Sequence, residues 1–203
     1  MKELWNQRYS KEEYIYGKSP NDFFKHELEK IHPGRILLPG EGEGRNAVYA
    51  ATLGWEVDAV DQSEEGRKKA LRLADEFGVK INYTISDLTS FQPSENYYDA
   101  VGLIFVHLPS DYRKEFHKKL IASLKPSGKV ILEAFHTEQI NKNSGGPKEI
   151  DMLYSLEDVV EDFIEMDFET LTKETILLNE GELHNGEAVV IRFVGTKLNG
   201  EDD

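Results

Sequence analysis

The residues whose types and spacing could do chemistry gather first in LLPGEGEGRN, positions 37–46. Gly40, Gly42 and Gly44 alternate between a short apolar run and a segment of small residues, a strand–turn–helix setting in which backbone can approach a ligand closely. Asp61 ends the next apolar segment, 21 residues after Gly40, the offset expected for an acid that hydrogen-bonds ribose hydroxyls. Glu41 and Glu43 stand between the glycines. A diphosphate seated there would meet like charge, at a cost on the order of 4 kcal/mol for a pair about 4 Å apart in an effective dielectric near 20.

Charge therefore separates the two cofactors that such a loop could hold. S-adenosylmethionine presents a sulfonium, an ammonium and one carboxylate, so an acidic loop suits its cations, and Arg45 or a helix N-terminus could take the carboxylate. If Glu41 and Glu43 point to solvent, they say nothing about the ligand. Asp87, in ISDL, follows a third apolar segment, where an adenine amine would lie. YYDAVGLIFVHLP ends near Ile104, Phe105 and His107 at the same edge, and Asp87 and Asp99 also read as turn residues. His184, in the turn EGELHNG, is the candidate general base, with a surface turn histidine as the other reading. His107 and His136 also follow strand ends, in structural or cleft-facing roles. The six histidines show no HExxH or comparable ligand spacing, so no metal site is expected. The chain has no cysteine, which excludes thiolate ligands, disulfides and Cys nucleophiles.

These residues need a frame. Strand and helix alternate from Arg35 to Phe135: RILLP, RNAVYAATLG, WEVDAVD, SEEGRKKALRLADEFG, KINYTIS, YYDAVGLIFV, SDYRKEFHKKLIASL and, after a KPSG stop, KVILEAF. That alternation predicts an α/β, doubly wound, mostly parallel sheet with helices on both faces. Upstream, SPNDFFKHELEKI predicts a helix capped by Ser19 with Pro20 in its first position. Downstream, residues 136–154 form a long polar loop with a bend at Gly145, Gly146 and Pro147, expected to act as a lid. SLEDVVEDF is a helix capped by Ser155 with Asp158 at its third position, and FETLTKETILLN and EAVVIRFVG form a final antiparallel hairpin.

At 203 residues the chain is expected to be one domain: a cofactor-covering segment at 1–33, an α/β core at 34–135, the lid at 136–154, and a helix with hairpin at 155–197. With 38 Asp and Glu against 24 Lys and Arg, the net charge of −14 disfavours nucleic acid and anionic membrane as partners. No apolar run is long enough to span a bilayer and no secretory leader is evident, so the expected location is the cytoplasm. A small-molecule partner and a monomer or homodimer are expected, with a frayed acidic tail, NGEDD, at the end.

Taken together, these segments resemble the class I S-adenosylmethionine-dependent methyltransferases. PGEGEGRN is similar to the first motif of their tellurite-resistance and thiopurine methyltransferase-like branch, as are WNQRYSKEEYIYGKSPNDFF, SGGPKEIDMLYSLEDVVEDF and GELHNGEAVVIRFVG. The resemblance implies a seven-stranded Rossmann-like sheet and transfer of a methyl group to a small molecule, a thiol or chalcogen compound. It further implies that Gly40, Glu41 and Gly42 pack against the donor's methionine moiety and that Asp61 and Gln62 bind its ribose. Asp87 and Leu88 would hold the adenine, and Ile104 and Phe105 line the methionine end. Trp5, Tyr9 and Tyr16 would close over the site; an aromatic patch pinning the N-terminal segment is their other reading. Leu38 and Pro39 stand where the branch has an acid and a leucine, and no arginine follows His184 until Arg192. The alternatives are an NAD(P)-dependent oxidoreductase and a non-catalytic protein that binds S-adenosylmethionine.

Overall fold

The apolar run Arg35–Pro39 becomes an interior strand of the sheet, and its side chains divide between two cores. Ile36 and Leu38 face one side of the sheet and Leu37 the other, all nearly inaccessible to solvent. Burial on both faces is why this strand reads as continuously apolar. The computed structural model describes residues 2–199. Its elements are α1 (Lys2–Tyr9), α2 (Asp22–Leu28), β1 (Arg35–Pro39), α3 (Arg45–Thr52), β2 (Glu56–Asp61), α4 (Glu64–Glu76) and β3 (Asn82–Ile85). They continue with β4 (Tyr98–Ile104), α5 (Ser110–Ser123), β5 (Leu124–Phe135), α6 (Leu156–Asp162), β6 (Met166–Asn179) and β7 (Asn185–Lys197). The expected acidic tail lies, apart from Asn199, outside the described residues.

The strands form one seven-stranded sheet in the order β3-β2-β1-β4-β5-β7-β6. The first five are parallel, whereas β7 runs antiparallel to both β5 and β6. The order reverses between β1 and β4, so the loops after these two strands open a crevice at their carboxyl ends, where open α/β sheets bind ligands. Helices α2, α3 and α4 cover one face through Phe24, Leu28, Ala47, Val48, Ala70 and Leu73. Helices α5 and α6 cover the other through Phe116, Leu120, Val159 and Phe163.

Three details depart from the sequence reading or refine it. Helix α2 begins two residues beyond the expected Ser19–Pro20 start, with Asn21 as its cap accepting from the Phe24 N–H at 2.9 Å. Asn21 is fixed there from outside the helix: its N–H donates to Asn46 Oδ1, and its amide donates to Glu133 and Glu180. The KPSG stop before β5 is a bulge within the strand. Leu124 already pairs with Tyr98, and the register shifts before Ala100 meets Lys129. Residues 136–154 are not an open loop but are laid against the sheet. His136 bridges Tyr154, and Gln139 accepts from Val189 N–H and donates to Ser144. Ser155 and Asp158 form the expected reciprocal cap of α6.

Candidate functional site

The glycine loop between β1 and α3 takes the backbone conformation its composition suggests. Gly40, Gly42 and Gly44 all have positive φ, and the loop is tied to β2 by Gly40 N–H donating to Val60 O and by Gly42 N–H donating to Asp61. Asp61 is buried at the end of β2, and it also accepts from Ser63 N–H at 2.8 Å. Burial raises its carboxyl pKa, while the backbone donors pull it back. Leu38, standing where the related branch has an acid, packs into the α2 side of the core, and the backbone bonds to β2 hold the loop in its place.

Both loop carboxylates are used inside the protein. Glu41 accepts from Asn46 N–H at 2.9 Å and Ala47 N–H at 2.7 Å, so it sits on the first turn of α3. Burial pushes its pKa up to about 7. Glu43 is buried, forms a 2.5 Å ion pair with Lys69 of α4, and accepts from the Ile15 N–H at 2.9 Å. Glu43 is withdrawn from solvent, whereas Glu41 is half-buried with its Oε1 committed to α3. They do not form a free negative rim: Lys69 neutralises Glu43, and Glu41 occupies the N–H groups that a diphosphate would need.

The N-terminal segment covers this loop. Tyr9 is buried, and its hydroxyl lies 2.5 Å from where a Cβ on Gly42 would stand, so only glycine fits beneath it. Burial, with Asp61 next in effect, raises the Tyr9 phenol well above its ordinary value and keeps it neutral. Trp5 stacks on Tyr9 with ring centroids 5.5 Å apart, and Arg8 lies over Trp5. Asn6 accepts from the Ser63 hydroxyl and the Glu64 N–H, which docks α1 onto the start of α4. Leu88 approaches Gly40, with its methyl 3.8 Å from a Cβ built there. Asp87 is exposed and accepts from the N–H and hydroxyl of Thr89, the turn role that the sequence left open, and Gln62 is half-buried next to Asp61.

At the β4 end the structure brings together residues distant in sequence. Ile104 closes the strand, and Phe105 follows with φ +54, a left-handed conformation that is costly for a bulky residue. Phe105 stacks on Phe135 at 4.5 Å, and His184 stands edge-on to Phe105 at 4.6 Å and packs against Tyr16 at 4.5 Å. His184 is thus a buried histidine in the crevice rather than a surface one. Its Nδ1 is 3.4 Å from Glu180, and burial lowers its pKa. Arg45 donates to Glu180 at 2.9 Å and to Tyr16 O, so its guanidinium is committed away from the loop.

Three of the other histidines are bonded within the fold, and His26 and His32 are exposed. His107 Nδ1 bonds Met152 O at 2.8 Å, and burial pushes its pKa down to about 4. His136 accepts from Glu138 N–H, and His117 pairs with Asp162. Among the described residues no cluster of three or more His, Asp or Glu is arranged to hold a metal, and no helix is long and apolar enough to cross a membrane. Sequence reasoning missed Phe135, Lys69 and Glu180. Of these, Glu180 carried a signal, lying four residues before His184 in a short turn.

Comparison with known proteins supports the fold. The profile of a family described as "Methyltransferase domain" matches residues 36–128, from β1 into β5. The ubiquinone biosynthesis O-methyltransferase of Rickettsia felis is 30% identical over 124 residues, 61% of this chain and 48% of that protein. The chain spans about half the length of the curated relatives it matches. Among solved structures, TehB from Haemophilus influenzae superimposes with a TM-score of 0.74 at 15% identity, covering 97% of this chain and 66% of that one. A structure reported under "Conversion of a Disulfide Bond into a Thioacetal Group during Echinomycin Biosynthesis" reaches 0.76 at 16% identity, covering 99% and 93%. At these identities the solved structures speak for the fold, and the profile match for the motifs within it. Over residues 36–128 the chain is similar to the methyltransferase domain family.

Proposed function

We propose that this protein transfers the methyl group of S-adenosylmethionine to a small molecule bearing an O–H or S–H group, with His184 taking the acceptor's proton. The observation that carries the reading is Glu41 on the first N–H groups of α3. With that anion site filled by a side chain, the loop is left for a ligand without phosphates, and a nicotinamide dinucleotide is disfavoured. The glycine cradle and Asp61 fit the donor: Asp61 accepts only backbone hydrogens and keeps lone pairs for ribose hydroxyls. In this reading Gly40, Glu41 and Gly42 receive the methionine end, Asp61 and Gln62 the ribose, and Asp87 and Leu88 the adenine.

The donor supplies a methyl carbon on a positively charged sulfur, so displacement is in line and the leaving group is good. What remains for the protein is orientation and exclusion of water, worth about 7–11 kcal/mol when reactants are well placed. Trp5, Tyr9 and Tyr16 provide the cover, and Phe105 and Phe135 the apolar wall. Residues 136–154 close the acceptor side, where Gly145 leaves room for His184: a Cβ there would stand 2.7 Å from its ring. The curated relatives are named for O-methylation, which matches an acceptor that must lose a proton. A thiolate or other chalcogen anion is the acceptor class that would need no base.

Calorimetry tests the donor site. S-adenosylhomocysteine should bind and NADH should not; binding of NADH alone would sink the proposal. Asp61→Asn should weaken S-adenosylhomocysteine by about tenfold or more, since a hydrogen bond to a charged group contributes about 1.5–3 kcal/mol. A methyl-transfer panel of catechol, simple phenols, dithiothreitol, selenite and tellurite then identifies the acceptor class.

A further inference from the structure

We infer that Glu180 is the positioning residue for His184: it holds the imidazole with its proton on Nδ1 and leaves the Nε2 lone pair for the acceptor, while Arg45 shares the Glu180 charge. The proposal rests on the methyl-transfer reading above and names a part of the machinery that reading does not contain.

The geometry is that of a base oriented by a third group. His184 Nδ1 and Glu180 Oε2 are 3.4 Å apart across one turn of chain, and the same Oε2 receives Arg45 at 2.9 Å. The other Glu180 oxygen accepts from the Asn21 amide at 2.9 Å. Glu180 is thereby fixed from three directions: α3, the cap of α2 and its own turn. Its pKa is pulled down to about 2, chiefly by the hydrogen bond to His184 and the charge of Arg45 working against burial. A carboxylate that cannot take up a proton at neutral pH accepts only, so the imidazole nitrogen facing it must donate. Among the described residues nothing hydrogen-bonds Nε2.

Arg45 has a second consequence. An unshielded carboxylate beside an imidazole would stabilise the imidazolium and remove the free base. Here Arg45 opposes that effect, as does Arg8 from α1, and burial lowers the His184 pKa further. The remaining ionisable neighbours are Tyr16 from the N-terminal segment and His107 beyond β4, whose own pKa is also lowered. The imidazole is therefore neutral and correctly turned before the acceptor arrives. In the transfer, Nε2 takes the proton from the acceptor's O–H or S–H, whose electron pair forms the bond to the methyl carbon. The carbon–sulfur bond breaks with its pair going to sulfur, and His184 returns the proton to solvent.

Two measurements test this. The first is 15N NMR of the histidine-labelled protein, which needs neither donor nor acceptor. His184 should appear as the Nδ1–H tautomer at pH 7.5; the Nε2–H tautomer overturns the proposal. The second is kcat against pH for wild type, Glu180→Gln and His184→Gln on whichever panel member is methylated. Glu180→Gln should lower kcat by about ten- to a hundredfold and shift the acid limb to lower pH, with KM for S-adenosylmethionine within about twofold. The double variant should be no worse than His184→Gln alone. Losses that multiply, or a pH-independent fall with raised KM, mean that Glu180 only supports the fold, which also overturns it. If no panel member is methylated, the methyl-transfer reading fails, while the tautomer still decides the part assigned to Glu180.

Discussion

One added methyl group at Gly44 should be enough to disturb the packing of α3 on α4. Gly44 has φ +91, and a Cβ there would stand 2.5 Å from the Ala70 Cβ and 2.7 Å from its Cα, which is backbone and cannot swing aside. Left-handed strain and overpacking together suggest that Gly44→Ala loses about 2–4 kcal/mol in urea unfolding. A loss near zero would show that the helices part without cost. At this scale the sequence was informative about which residues matter and poor about what they touch. The glycine spacing and Asp61 could be read because their constraint is local. Glu43 could not, because its partners lie far along the chain: Ile15 and Lys69. His184 was legible as a candidate but not as a buried one, since the rings that bury it come from Tyr16, Phe105 and Phe135.

Among the elements, α1 is the one that the proposed reading makes a cover over the donor. It buries a single side chain, Tyr9, and rests on the glycine loop and α4. So small an anchor suits a cover that must lift to admit a donor and settle to exclude water. Tyr9→Ala should speed dissociation of S-adenosylhomocysteine severalfold in stopped-flow displacement, with a smaller change in thermal stability. An unchanged off-rate would mean that α1 is not on the exit path. The same thin apolar face explains why this helix was not evident from sequence, whereas α4 and α6 were, with Ser63 and Ser155 capping them. Helix α2 was placed but started too early, because Asn21 owes its position to Glu133, Glu180 and Asn46 and not to its neighbours in the chain.

For the whole molecule, two groups set opposing dependences of stability on pH. His107 titrates at about 4 when folded, below its ordinary 6.5, so on acidification the unfolded chain binds the proton first and stability is lost between those values. Glu41 titrates at about 7, above its ordinary 4.5, so its contribution is complete at acid pH and is lost as pH rises towards 7. Each amounts to about 3 kcal/mol at 1.36 kcal/mol per pH unit. Urea unfolding between pH 4.5 and 7 should therefore show Glu41→Gln gaining stability with rising pH more steeply than wild type, and His107→Gln less steeply. Slopes that match wild type would contradict both assignments. The fold class was legible throughout because alternation of strand and helix leaves few topologies, and the antiparallel finish followed from the terminal hairpin. The strand order carries one more implication. Since β7 lies between β5 and β6, the outermost strand has nothing to pair with until the segment after it has been made. A growing polypeptide can thus assemble the donor half of its site early. The turn bearing Glu180 and His184 can lock down only after the closing strand slides in, so on the proposed reading a chain interrupted before that point would hold a donor without the pair that deprotonates an acceptor.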